Sequence, residues 1–186
     1  MNQDLRFERE WWGDCCNTFF EDQKHYTYGR LMGLKQDWVY FIVGNKSILD
    51  IGGGPTSMLL KVYDLVKGKV YDPIDYPKWT LDRYNSKNIE VVVDYGENVN
   101  ESGWDEVWIY NCLQHVTDPE KIIKNALKSA KILRIFEWVD IPPHEGHPHM
   151  LTEQKLNQWI GQTGKTVELN ENGCYGKAYY GWFQLT

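Results

Sequence analysis

Residues 48–60 read ILDIGGGPTSMLL: an apolar run holding one acid, three consecutive glycines, then a second apolar stretch. This segment constrains the fold more than any other. A short apolar run stopped by glycine reads as a buried strand. Gly52, Gly53 and Gly54 can take positive φ and carry no Cβ, so a turn made from them lets a ligand touch the backbone. A helix starting just beyond would offer its unsatisfied N–H groups to negative atoms. Strand, glycine turn and helix form the opening unit of an α/β fold, in which ligands sit beyond the carboxyl ends of parallel strands.

The rest of the chain continues the alternation. Residues 23–43 are expected to be helical in at least their second half, with Leu31, Leu34, Trp38, Phe41 and Ile42 inward and Gly44 as the stop. Strands are expected at 47–51, 69–71, 89–93, 104–110 and 132–139, with a helix at 57–66 after the first. Asp118 is a natural N-cap and Pro119 suits the first helical position, which places a helix at 118–130. Thr152 caps another over 152–160, stopped by Gly161. Residues 166–169 and 178–185 have no helical pattern between them and close the sheet as an antiparallel hairpin. The expected fold is a Rossmann-like three-layer α/β sandwich with a mostly parallel seven-stranded sheet. It forms one domain over 1–186: an N-terminal helical lid segment at 1–44 and the core at 45–186.

Composition limits the function. The chain has 186 residues and a net charge of −6. Its densest run of Lys, 121–131, lies on an expected helix and reads as a solvated face. Weak non-specific attraction to phosphate follows, so neither nucleic acid nor an anionic membrane surface is an expected partner. The longest purely apolar run, at 38–43, is far too short to span a bilayer. Cys15, Cys16, Cys112 and Cys174 form no C-x-x-C pair, which fits reduced thiols and a cytoplasmic location.

The glycine turn alone does not choose its ligand. Gly52, Gly54 and Ser57 only approximate G-x-G-x-x-G, and no Gly-Lys-Ser/Thr follows, which excludes a P-loop. Asp72 ends the second expected strand, 20 residues after Gly52, where a carboxylate can accept from both hydroxyls of a ribose. A nicotinamide dinucleotide and S-adenosylmethionine both carry such a ribose. Asp50, inside the first strand's end, can approach an ammonium group, which only the second of these has. Asp94-Tyr95 follows the third strand, where an acid can accept from an exocyclic adenine amine.

These pieces resemble a known family. ILDIGGGP (48–55), VYDP (70–73), VVDYGE (92–97) and IYNCLQHVTDPEKIIKNAL (109–127), in this order and spacing, are similar to class I S-adenosylmethionine-dependent methyltransferases. The resemblance covers roughly residues 47–186. It implies that Asp50 and the glycines hold the methionine end of S-adenosylmethionine. Asp72 would bind the ribose, with Pro73 near the adenine, and Asp94 and Tyr95 would hold the adenine edge. Asn111 would lie beside the sulfonium, and Gln114 and His115 would face the pocket. One departure is Thr56, which stands where the family has a third glycine.

The stretch 8–30 is dense in aromatic and polar residues, and in this superfamily such a segment commonly lies across the cofactor as a lid. Aromatic faces attract a sulfonium cation, so Trp11, Trp12, Tyr26 and Tyr28 are candidates, and Arg30 can pair with a carboxylate. The alternative is that Trp11, Trp12, Phe19 and Phe20 anchor an extra helix. In the loop after the fifth strand, His144, His147 and His149 have no metal-specific spacing, so no metal is expected.

Methyl transfer needs in-line alignment, and a hydroxyl acceptor also needs a base. His149 and then His115 are the candidates. The resemblance implies an enzyme. The (Asp/Asn)-Pro-Pro-(Tyr/Phe) motif of base-amine methylation is absent after the fourth strand, and no Pro-Cys nucleophile is present. A small-molecule acceptor methylated at oxygen is the expectation. A catalytically degenerate S-adenosylmethionine-binding protein and a nicotinamide-dependent oxidoreductase are the alternatives.

Overall fold

The computed structural model describes residues 5–13 and 18–185. Two helices come first, α1 (Arg6–Trp12) and α2 (Thr18–Leu31), followed by a small hairpin, β1 (Lys35–Asp37) and β2 (Tyr40–Ile42). The main chain of elements is β3 (Ser47–Ile51), β4 (Lys67–Asp72), α3 (Lys78–Asn85), β5 (Ile89–Val93), β6 (Trp104–Tyr110), α4 (Pro119–Ser129), β7 (Ala130–Trp138), α5 (Glu153–Ile160), β8 (Lys165–Glu171) and β9 (Cys174–Gln184).

Seven strands form one sheet in the order β5-β4-β3-β6-β7-β9-β8. The pairs β3–β4, β4–β5, β3–β6 and β6–β7 are parallel, and β9 runs antiparallel to both β7 and β8. The chain builds outward from β3 to β5, then returns to place β6 on the other side of β3. Strand order therefore reverses between β3 and β6, and a crevice opens there at the strands' carboxyl ends.

Period-2 alternation sends neighbouring side chains to opposite faces. Leu49, Ile51, Val107 and Ile109 pack with Ile122, Ile123 and Ala126 of α4 and with Leu156 of α5. Ile48, Val70, Trp108, Tyr110 and Phe136 pack on the other face with Tyr28, Met32, Met58, Leu59 and Tyr84. Both faces of the sheet are thus covered, as parallel strands require.

Strands β5 and β6 and the capped helices α4 and α5 follow the sequence pattern closely. Asp118 accepts from Lys121 N and Thr152 from Lys155 N, so both caps form. Two expected helices are corrected. Over 23–43, the helix is the earlier α2, and the second half is the β1–β2 hairpin. Gly33 at φ 74° ends the helix, and Trp38, expected inward, stands 83% exposed at the hairpin turn. Asp64 holds this unit by accepting from the backbone N–H groups of Val43 and Gly44.

Over 57–66 there is no α-helix, only 3-10 turns at Gly54–Thr56 and Met58–Lys61. Ser57 is extended, with ψ 144°, and it interrupts the coil. Buried tyrosines take the freed donors: Ser57 N donates to Tyr84 Oη at 2.8 Å and Met58 N to Tyr110 Oη at 2.9 Å. Helix α3 was not expected, whereas α1 falls within the expected N-terminal helical segment. Cys112 and Cys174 are buried and unbridged, while Cys15 and Cys16 lie outside the described residues. Among the described residues, no helix is long and apolar enough to cross a membrane.

Candidate functional site

A cavity of ≈ 260 Å³ sits at the carboxyl ends of β3, β4 and β6, at the point where strand order reverses. Gly52, Gly54, Asp72 and Pro73 line its floor. Ile74, Tyr76, Tyr95 and Glu97 form one wall, and Asn111, Gln114 and His115 the other. Its roof is α1, through Phe7, Glu8, Trp11 and Trp12, with Glu21 and Lys24 of α2 and His147 beside it.

The three glycines serve different ends. At Gly52, with φ 76°, a Cβ would lie 2.1 Å from Cys112 Sγ, so glycine lets the loop after β6 close against the turn. A Cβ on Gly53 would lie 2.6 Å from Asp50 Oδ2, so the Asp50 carboxylate stands directly behind the turn. Among the described residues, a Cβ on Gly54, with φ 65°, would meet only the ring of Trp12 within 4 Å, at 3.5 Å. Gly54 is the glycine that leaves room on the cavity side.

Asp50 does not line the cavity. It is buried beneath the turn, where Oδ2 accepts from Ser57 Oγ and Tyr110 Oη, both at 2.5 Å. Burial pushes its carboxyl up to about 7, against the pull of those two hydrogen bonds. Asp72 does line it. Its Oδ2 accepts from Gly54 N at 3.1 Å and its Oδ1 from Ile74 N at 3.0 Å. Burial is the main cause that raises Asp72 to about 6. Two backbone donors use half of a carboxylate's acceptor sites and fix its orientation.

Beyond β5, Asp94 turns back on its own loop, accepting from Tyr95 N and from Asn98 Nδ2, and it is not part of the cavity wall. Tyr95 is. Beyond β6, Asn111 sits at φ 49°, a left-handed conformation that Asn tolerates. Its Nδ2 donates to Glu21 Oε1 at 3.1 Å and its Oδ1 accepts from Gln114 Nε2 at 3.0 Å.

Of the remaining candidates, His115 lines the cavity, whereas His149 does not: its Nε2 donates to Val116 O at 2.7 Å and ties the loop down. Tyr28 and Arg30 also stand apart from the cavity. Tyr28 is fully buried, its ring 4.1 Å from that of Phe136, and Arg30 reaches outward to Glu171 at 2.5 Å. Tyr26 lies under Lys61. Phe19 and Phe20 are 65% and 68% exposed, so they anchor nothing in the core.

The sequence pattern missed Glu8, Glu97, Tyr76 and Glu137. Glu137, at the end of β7, is fully buried and accepts from Leu113 N at 3.0 Å and Cys112 N at 3.1 Å, which fixes the loop carrying Asn111 to His115. Burial raises its carboxyl to about 7. An acid within the apolar run IFEWV was the available signal, of the same kind as Asp50 in ILDI.

No protein-family model and no curated protein matches the chain. Solved structures do match. The N-methyltransferase NodS from Bradyrhizobium japonicum WM9, solved with S-adenosylhomocysteine, superposes at TM-score 0.61 and 12% identity, over 89% of this chain and 87% of that one. A SAM-dependent methyltransferase from Aquifex aeolicus gives TM-score 0.56 and 17% identity over 90% and 93%. A SAM-dependent methyltransferase from Thermotoga maritima gives 0.58 and 14% over 97% and 92%. At these identities the likeness is one of fold, and the fold is that of the class I S-adenosylmethionine-dependent methyltransferases.

Proposed function

We propose that this chain is an enzyme that binds S-adenosylmethionine in the cavity at the strand reversal and methylates a small-molecule acceptor at oxygen. The observation that carries the proposal is Asp72: a buried carboxylate at the end of β4, oriented by two backbone N–H groups, on the floor of that cavity beside Gly54. Its remaining acceptor sites suit a pair of ribose hydroxyls. The residues present fit the cofactor in two further ways. Gly54 leaves space where a side chain would stand, and buried Gln114 Oε1, on a cavity-lining residue, has no hydrogen-bond partner among the described residues.

On this assignment Asp72 holds the ribose, Pro73, Ile74 and Tyr95 flank the adenine, and Asn111 and Gln114 face the methionine end. S-adenosylmethionine bound there would supply an electrophilic methyl carbon on its sulfonium. The aromatic residues of α1 favour a cation beneath them and exclude water. Asp50 and Glu137 act from behind, one holding the glycine turn and the other the loop after β6. His115, inside the cavity, is the group able to take a proton from a hydroxyl. That, with the net charge of −6, favours a small hydroxylated acceptor over a nucleic acid.

The test is release of S-adenosylhomocysteine from S-adenosylmethionine, followed by mass spectrometry across matched panels of small alcohols, phenols and amines. Turnover with hydroxyl acceptors supports the proposal. Turnover confined to amines contradicts the assignment to oxygen. Binding of S-adenosylhomocysteine with no turnover on any panel would point to a cofactor-binding protein.

A further inference from the structure

Helix α1 contributes no buried residue to the core. Its place is over the cavity, which Glu8, Trp11 and Trp12 line. These positions are three and four apart, so they share one face of the helix. The two arginines of the helix, Arg6 and Arg9, are exposed. The helix therefore turns an acid and two indoles inward and its positive charges outward.

The inward acid is short of a donor. Glu8 is only 17% exposed, and its Oε1 has no hydrogen-bond partner among the described residues. His115 Nδ1 is 2.7 Å away, but that nitrogen donates to Gly146 O at 2.8 Å, so its contact with Glu8 is no hydrogen bond. A carboxylate oxygen taken out of water without a donor is costly, and a ligand that brings a donor removes the cost.

The charge around the cavity points the same way. Among the described residues, Glu8, Glu21, Asp72 and Glu97 line it, and Lys24 is the one lysine or arginine that does. Glu21 already holds Lys24 at 3.0 Å. His147, pushed down to about 4 first of all by burial, brings no charge near pH 7. S-adenosylmethionine, with an ammonium, a sulfonium and a carboxylate, carries one net positive charge. Bound there, it leaves the cavity negative even where His115 is protonated. On the assignment above, its ammonium faces Gln114, whose buried Oε1 also has no partner among the described residues, and its adenine lies on the side of Tyr95 and Glu97. Glu8, on the roof, is the acid left over.

Resting on the cofactor site proposed above, we propose that the acceptor is a hydroxyl compound that also carries a protonated amine, and that the underside of α1 recognises it: Glu8 takes the ammonium, and the indoles of Trp11 and Trp12 flank the same charge. The amine is a handle and not the methylated atom. Held by a carboxylate it keeps its proton, and an ammonium has no lone pair to offer a methyl group. The hydroxyl is then the nucleophile, in keeping with methylation at oxygen.

The test is calorimetric titration of the full chain, saturated with S-adenosylhomocysteine, with two matched pairs of probes: tyramine against para-propylphenol, and propanolamine against butanol. Within each pair an ammonium is exchanged for a methyl group and the shape is kept. The amine of each pair is expected to bind about tenfold or more tightly, and the ratio to fall to near one in Glu8→Gln, which removes the charge and keeps the size. Glu8→Asp, which keeps the charge on a shorter stem, should retain part of the preference. Equal binding within the pairs, a preference that survives in Glu8→Gln, or no binding of either amine overturns the proposal. Titration with S-adenosylhomocysteine alone tests the cofactor site separately: no binding to the wild type contradicts the proposed function, and the amine preference, measured on the same chain without it, stands or falls by itself.

Discussion

At the scale of single residues, Asp72 has one task and an environment that works against it. To accept from ribose hydroxyls it must be ionised, yet burial has raised it to about 6. Affinity for S-adenosylhomocysteine should therefore be full above pH 7 and fall as pH drops through about 6, as isothermal titration across that range would show. Asp72→Ala removes two charge-assisted hydrogen bonds, each worth about 1.5–3 kcal/mol, so the affinity should fall roughly a hundredfold or more. Asp72 was legible in the sequence because the end of a parallel strand, 20 residues beyond a glycine turn, leaves an acid little choice of position. Tyr28 and Arg30 were not. Two positions apart on a helix point in nearly opposite directions, so one enters the core and the other reaches solvent. Glu21 and Lys24, a turn or two earlier on the same helix, are the residues at the cavity.

At the scale of elements, the glycine turn is held by side chains rather than by a helix. Tyr84 of α3 accepts from Ser57 N at 2.8 Å and donates to Gly54 O at 2.5 Å. Tyr84→Phe leaves both groups buried without that partner, and thermal unfolding should show a loss of about 1–3 kcal/mol. Affinity for S-adenosylhomocysteine should fall as well, because the turn itself loosens; an unchanged affinity would separate the turn's rigidity from binding. This explains why 57–66 was misjudged. The spacing of Met58 and Leu59 fitted a buried helix, and both are buried, but the tyrosines that replace its hydrogen bonds come from distant stretches of sequence. β5 and β6 were legible for the opposite reason: their alternation and β-branched content are local.

At the scale of the whole molecule, buried acids set how stability depends on pH. Asp50 and Glu137 lie near 7 and Asp72 near 6, all above ordinary carboxylates. Between about pH 4 and 7 the folded chain holds protons at these sites that the unfolded chain has lost, so they weaken the fold as pH rises. Asp105, held down chiefly by Lys131 and Ser47, and Glu106, paired with Arg134 and Lys46 despite burial, act in the other direction and weaken it as pH falls below that range. Melting temperature should thus be higher near pH 5 than at pH 8. Saturating S-adenosylhomocysteine should narrow the gap, because it favours ionised Asp72. The sheet itself was legible at this scale. Its parallel core followed from the alternation of elements and its antiparallel edge from the turn at Asn172 and Gly173. The place of α1 was legible in part: the aromatic stretch 8–30 was expected across the cavity, and Trp11 and Trp12 line it, whereas Glu8 on the same helix gave no signal.

The central claim is that the cavity at the strand reversal holds S-adenosylmethionine through Asp72. Its most direct test is calorimetric titration of the wild type and Asp72→Ala with S-adenosylhomocysteine, with NAD in parallel. Micromolar binding of S-adenosylhomocysteine to the wild type, a large loss in the variant and no heat from NAD are predicted. Absence of adenosyl binding, or equal affinity in the two proteins, would contradict it.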